Sequence, residues 1–383
     1  MFLLNLILRN AFRHRLRTLL TVTGLLIAVL AFGLLQTVVD AWYAGAAAAS
    51  NTRLITRNAI SLTFFLPGSY ANRIRGVEGV TSVALSNWFG GVYQEPKNFF
   101  PQFAVSDNYM DLYPEFVLPE DQRQAWLRDR KGALVGRQLA DRYGFKVGDP
   151  LPIKGTIYSG TWEFTVRGIF EGSDSSKLTG HMLFHYDYLN ETVRKISPRR
   201  ADYAGVFVVG VKDIDNVAAA SRNIDALFAN SLAETLTESE QAFQLGFVAM
   251  SDQIIAAIRI VSYVVILIIM AVMANTMAMS ARERNAEYAT LKALGFGPGF
   301  LASLIFGESL VICLIGGGAG MALTAPAAQA FKSAAGIFPI FSVSHDTIAL
   351  QAACALTVAV ASAVVPAIRA SRVRIVEGLR AIG

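Results

Sequence analysis

The 383-residue chain has only two cysteines, Cys313 and Cys354, and both lie inside long apolar runs, so no disulfide framework braces its more polar middle. Charge is scarce as well. Only 16% of residues are charged while 53% are hydrophobic, and a mean hydropathy of +0.42 is too high for an ordinary soluble protein of this length. No G-x-x-x-x-G-K-S/T phosphate loop occurs, so the sequence offers no P-loop nucleotide-hydrolysing site. His181 and His185 stand four apart, but zinc wants such a pair on a helix with further ligands, and this segment reads as a strand. No metal is expected.

What the chain has instead is length in its apolar runs. Crossing a hydrocarbon core of about 30 Å takes roughly 20 apolar residues in a helix, and four runs qualify, at 19–39, 260–279, 300–325 and 348–368. The first is too long for a signal-peptide core, and the small residues at 46–50 match a cleavage site only weakly. Cations sit beside three of the short segments. Arg9, Arg13, Arg15 and Arg17 precede the first run, Arg282, Arg284 and Lys292 follow the second, and Arg369, Arg372, Arg374 and Arg380 follow the fourth. The positive-inside rule then puts both termini in the cytoplasm. The sequence pI near 9.2 is on this reading a mark of topology, and no nucleic-acid partner is expected.

The fold class is therefore a membrane protein of four transmembrane α-helices, with a large α+β extracytoplasmic domain inserted between helices 1 and 2. The expected boundaries are an interfacial helix at 1–17, spans at 18–40, 252–280, 300–328 and 347–368, the outer domain with helical stalks at 41–251, a cytoplasmic helix and loop at 281–299, a short outer loop at 329–346 and a tail at 369–383. In the outer domain, β-rich runs cover 59–65, 160–170 and 203–211, and 214–228 has helical spacing with Val217, Ile224 and Leu227 on one side. Residues 132–149 read as a strand, a short helix closed by Gly144, and a turn at Gly148-Asp149 into another strand. The second span is expected to continue as a stalk from about Glu238, paired with an extension of the first at 36–49.

The segment after the second run is the most informative. From Arg282 to Leu294, the charges Arg282, Glu283, Arg284, Glu287 and Lys292 mix with Tyr288, Leu291 and Leu294, whose three-residue steps make one apolar edge. Gly295 supplies a stop and Pro298 follows. A short charged lever with a greasy edge suits a cleft on a partner, and the same pattern suits a surface turn whose charges stay solvated. At the N-terminus, Leu4, Ile7, Leu8, Ala11 and Phe12 recur at helical spacing with Arg9, Arg13 and Arg17 around the rest of the wheel. That is the pattern of an interfacial helix drawn to anionic membrane lipids.

Two stretches of the outer domain, GALVGRQLADRYGFKVGDPLPIKG and WEFTVRGIF, resemble the periplasmic core domain of MacB-type transporters. MSARERNAEYATLKALGFGPGF, GESLVICLIGGGAGM and PAIRASRVRIVEGLR resemble the permease module shared by the MacB, LolC/LolE and FtsX proteins, and the basic start LRNAFRHRLRTLLTVTGLLIAV fits the same family. The resemblance implies a non-catalytic permease subunit of an ABC transporter in a bacterial inner membrane. It would dimerise with itself or a paralogue and be driven by a cytoplasmic ABC ATPase dimer, which would hold the ATP and magnesium. This chain itself would bind no cofactor. MacB carries its ATPase on the same chain, so the plan here is closer to LolC or FtsX. The work would be mechanotransmission, moving the outer domain to export or extract a lipoprotein, lipid or peptide, with a periplasmic adaptor or substrate carrier as a further partner. The alternative is an FtsX-like transducer that switches a cell-wall hydrolase. The resemblance favours the ATPase-coupling reading of Arg282 to Gly295, and implies that the N-terminal helix also braces the ATPase.

Two polar residues inside the runs complete the candidates. Glu308 is costly in a span unless paired, and Arg369 is an available cation. Asn275 suits a cap or a hydrogen bond between helices, and the small residues from Gly316 to Gly320 suit close helix approach.

Overall fold

The computed structural model describes residues 2–173, 179–335 and 341–373; Arg374, Arg380, the rest of the tail and residues 336–340 of the short loop lie outside the described residues. The chain divides into two units, residues 1–42 with 251–383, and residues 43–250.

It begins with α1 (Phe2–Ala11) and the 34-residue α2 (Arg15–Ala48). No proline interrupts α2, and at about 1.5 Å per residue it runs for roughly 50 Å, longer than a hydrocarbon core is thick.

The 43–250 unit is α+β. Its principal elements are β1 (Arg53–Asn58), β2 (Val80–Trp88), β3 (Gln102–Val105), β4 (Gly132–Gly136), α3 (Arg137–Tyr143), β5 (Pro150–Gly155), β6 (Gly160–Gly172), β7 (Met182–His185), β8 (Val206–Val211), α4 (Ile214–Phe228), β9 (Thr235–Ser239) and α5 (Glu240–Ala249). The strands lie in the order β9-β1-β8-β2-β3-β7-β4-β6-β5. The β3–β7 and β4–β6 pairs are parallel and the other neighbours antiparallel. The strand, helix and strand expected across 132–155 form as β4, α3 and β5.

Four expectations are corrected here. Residues 59–65 form turns with Ile60 82% and Phe64 54% exposed, and the strand is β1, just upstream. β1 escapes a pattern search because it is a central strand, buried along both faces, whose ends are the polar Arg53 and Asn58. The 203–211 run splits at Gly205, so that Tyr203–Ala204 pairs with Leu66–Pro67 while β8 joins the main sheet. On α4 the buried residues are Ala220, Ile224 and Phe228, and Leu227 points outward. The stalk expected from Glu238 is not one continuous helix. Glu238 pairs with Ile55 inside β9, α5 starts only after Ser239 caps it by accepting the Ala242 N–H at 3.2 Å, and the helix breaks again at Met250–Ser251.

His185 uses both ring nitrogens inside the domain. Nε2 donates to the Trp126 carbonyl at 2.8 Å, and Nδ1 faces Asp107 at 2.8 Å. His181 packs among Phe103, Phe116 and Phe170.

The other unit adds α6 (Asp252–Glu283), α7 (Asn285–Ala293), α8 (Pro298–Ala335) and α9 (His345–Ser371) to α1 and α2. Among the described residues, α2, α6, α8 and α9 are long and apolar enough to cross a membrane. Leu25, Phe32, Met273 and Val358, one or two from each of three helices, fill the common core with Ile312 of α8. Close approach of α8 to α2 depends on glycine. A Cβ on Gly316 would meet the Val22 carbonyl oxygen at 2.7 Å, and one on Gly320 the Leu26 oxygen at 2.8 Å. Hydrogen bonds add to packing where no water competes. Gln351 of α9 donates through Nε2 to the Val29 carbonyl and to Thr324 Oγ1, both at 2.8 Å, tying α9 to α2 and α8.

Candidate functional site

The turn between α6 and α8 is built by a change of composition. The apolar run of α6 gives way to Arg282-Glu283-Arg284, and the backbone leaves the helix at Arg284 (φ −107°, ψ 13°). The separate helix is thus α7, with Arg282 and Glu283 forming the last turn of α6, so the single helix expected from Arg282 to Leu294 is two. α7 ends in a Schellman motif: Gly295 N–H reaches the Lys292 carbonyl and Phe296 N–H the Leu291 carbonyl, both at 3.0 Å. That motif needs a left-handed residue, and Gly295 supplies it at φ +92°.

The charges of this turn are mostly engaged within the protein. Arg284 is 5% exposed and donates from Nη1 to Glu308 at 2.5 Å and from Nε to Glu287 at 3.2 Å. Glu308, 4% exposed, also accepts from the Asn10 side chain. Arg284, and not Arg369, is therefore the partner of the Glu308 carboxylate. Glu287 bonds Arg13 as well as Arg284. Burial pushes the Glu287 carboxyl up, but the hydrogen bonds from the two arginines outweigh it and hold the group below the usual carboxylate range. Glu283 takes a bidentate pair from Arg17 at 2.9 and 2.7 Å, with His14 Nε2 at 3.4 Å. At the other end of α7, the Lys292 ammonium donates to the Ser371 and Val373 carbonyls at 2.7 and 2.8 Å and so caps the C-terminus of α9.

This places the N-terminal residues differently from the sequence reading. Arg13 and Arg17, expected to face lipid headgroups, pair with Glu287 and Glu283, while Arg9 is exposed. Ile7 is buried against Gly307 of α8, so α1 is fastened to the bundle by packing as well as by the Asn10 hydrogen bond to Glu308.

The apolar edge is also redistributed. Tyr288 is 1% exposed and packs with Leu301, Ile305, Ala363 and Ala367 inside the bundle. Burial pushes its phenol up to about 12, against the pull of Arg284. Leu291 is half-buried beside the same cluster. What remains outside is the cap. Leu294 is 71% exposed, Phe296 is 37% exposed and stacks on Phe300 at 4.6 Å, and Arg282, Asn285 and Thr290 are exposed earlier along the turn. Phe296 was missed because it follows the helix stop. The Ala281, Arg284, Tyr288 steps of three and four were the available sign that Arg284 faces inward. Asn275 is exposed on α6, which makes the bridge expected of it to a neighbouring helix of this chain absent from the described contacts.

The site has the properties of a rigid handle. A nine-residue helix between two long apolar helices is held at its start through Glu287 to Arg13 of the turn between α1 and α2 and through Arg284 to Glu308 of α8, is held at its end to the C-terminus of α9, and leaves Leu294 and Phe296 exposed just beyond it.

Residues 259–375 match the family model described as FtsX-like permease C-terminal, and residues 18–227 match the MacB-like periplasmic core domain. Among solved structures, the periplasmic region of MacB from Actinobacillus actinomycetemcomitans is 12% identical, with 52% of this chain and 94% of that chain covered at a TM-score of 0.38. The extracellular domain of the noncanonic ABC-type transporter YknZ from Gram-positive bacteria is 13% identical, with 49% and 100% covered at 0.35. No curated protein matches the chain.

Proposed function

Since this chain belongs to the MacB/FtsX-like family of ABC transporter permeases, we propose that it is the transmembrane subunit of a mechanotransmission machine, driven by an ABC ATPase on a separate cytoplasmic chain. On this reading both termini and α7 lie in the cytoplasm of a bacterium with the four spans in its inner membrane, and the 43–250 unit lies outside. A second permease subunit, identical or paralogous, completes the membrane part, and the substrate is a lipoprotein, lipid or peptide exported or extracted at the outer face, with a periplasmic adaptor or carrier as a further partner. The ATP and magnesium belong to the partner.

The observation that carries the proposal is the pinned α7. A helix fastened at its start to α8 and at its end to α9, with Tyr288 packed between them, passes a push on its exposed cap to α8 and α9 together. A turn whose charges were merely solvated would have its Glu and Arg side chains in water, whereas Arg284 and Glu308 are buried and paired. Affinity purification of the chain from its native membrane in mild detergent, with mass spectrometry of what accompanies it, tests the reading. An ABC ATPase is expected in the complex. Repeated recovery of the folded chain alone would overturn it.

A further inference from the structure

Where the chain enters the 43–250 unit after α2 and where it leaves through α5, the two segments meet at the Glu240 carboxylate, which Arg53 holds. Arg53, the first residue of β1, is 5% exposed. Its Nε donates to Glu240 Oε2 at 2.8 Å, its Nη1 to the Leu112 carbonyl at 2.7 Å and Glu115 Oε2 at 3.0 Å, and its Nη2 to the other Glu115 oxygen. The same Glu240 oxygen accepts the backbone N–H of Ser50 at 2.9 Å. Ser50 follows the last turn of α2, and Glu240 is the first residue of α5. The Tyr113 ring closes over the cation at 4.0 Å from its centroid and stacks on Tyr109.

Only arginine has the planar fork to hold carboxylates on two edges at once. Burial makes the arrangement stiff, because moving any one piece away leaves an unpaired charge in a place water does not reach. β1 is itself a central strand, paired with β8 on one side and β9 on the other. The end of α2, the start of α5, the 112–115 segment and the main sheet are thereby one body.

We propose that Arg53, through Glu240 and Glu115, is the joint that turns displacement of α2 and α5 into displacement of the whole 43–250 unit. The proposal deepens the mechanotransmission reading and rests on it. Arg53 acts as a positioning residue, since it works through the two helices it ties.

The test uses the full chain with Cys313→Ala and Cys354→Ala, in complex with its co-purified ATPase, nucleotide-free and trapped with ADP and vanadate. One spin-label pair, Ala249→Cys with Thr161→Cys, reports α5 against the sheet. A second, His345→Cys with Thr161→Cys, reports the domain against the membrane helices. In the parent, pulsed electron paramagnetic resonance should give the first pair one narrow distance in both states and a shift of the second pair on trapping. The variant Arg53→Met, Glu115→Gln, Glu240→Gln leaves no lone buried charge. In it the first distance should broaden and depend on nucleotide, and the shift of the second should fall by half or more. Arg53→Lys keeps the charge without the fork and should give an intermediate result; if the triple variant does not fold, Arg53→Lys decides. Parent-like distributions in these variants, even with a lowered thermal midpoint, would overturn the joint. An unmoved second pair in the parent would instead overturn the mechanotransmission reading and the joint with it.

Discussion

Arg284 and Glu308 form a buried ion pair at 2.5 Å that joins the turn after α6 to the first third of α8. A pair in this position is expensive to break from one side only, since the abandoned charge stays buried. Glu308→Leu or Arg284→Met alone should lower stability by about 3–5 kcal/mol. Combining them should recover most of the loss, as a drop and partial return of the thermal midpoint in detergent. Additive losses would mean the two residues act separately.

Tyr288 and Leu294 lie six positions apart with opposite fates, 1% and 71% exposed. Tyr288→Ala removes a packed ring and should cost about 3–5 kcal/mol, as for other large aromatic truncations. Leu294→Asp should leave the thermal midpoint near that of the parent and cut ATPase retention on purification at least tenfold. Equal retention would remove the cap from the docking surface.

The glycines of α8 provide an internal control. A side chain at Gly316 meets the backbone of α2, whereas the space at Gly318 is open. Gly316→Leu should destabilise by about 1–3 kcal/mol through forced separation of the helices, and Gly318→Leu should be tolerated. The comparison of the two midpoints is the measurement, and equal effects would contradict the packing described.

Glu287 gives the turn a pH dependence of known sign. Its carboxyl is held below the usual range in the folded protein, so the contribution is complete above the unfolded-state value and is lost as pH falls through the folded one. The protection of residues 284–294 against hydrogen exchange, taken relative to the intrinsic rate at each pH, should therefore fall on acidification below the usual carboxylate range, and Glu287→Gln should remove that acid-dependent part.

Some of this was legible in the sequence because it is local. Apolar runs of the right length mark the four long helices, turn chemistry at Gly144 and Gly148 marks the passage from β4 to β5, and Gly295 marks a helix end. The partners were not legible. The apolar run says that Glu308 needs a cation, but not which, because the choice between Arg284 and Arg369 depends on which helices pack together, and Arg284 taken alone reads in sequence as one more surface charge of the turn. β1 was hidden for a related reason: its arginine ends in a buried cluster assembled from residues 112–115 and 240, and alone it reads as polar surface. The break at Met250–Ser251 has no proline or glycine to announce it.

The most direct test replaces Leu294 with the photo-cross-linking residue p-benzoylphenylalanine, irradiates native membranes and identifies the adduct by mass spectrometry. Coupling through the α7 cap predicts a covalent adduct with an ABC ATPase chain. Adducts with lipid alone, in membranes from which that ATPase still co-purifies with the protein, would contradict it.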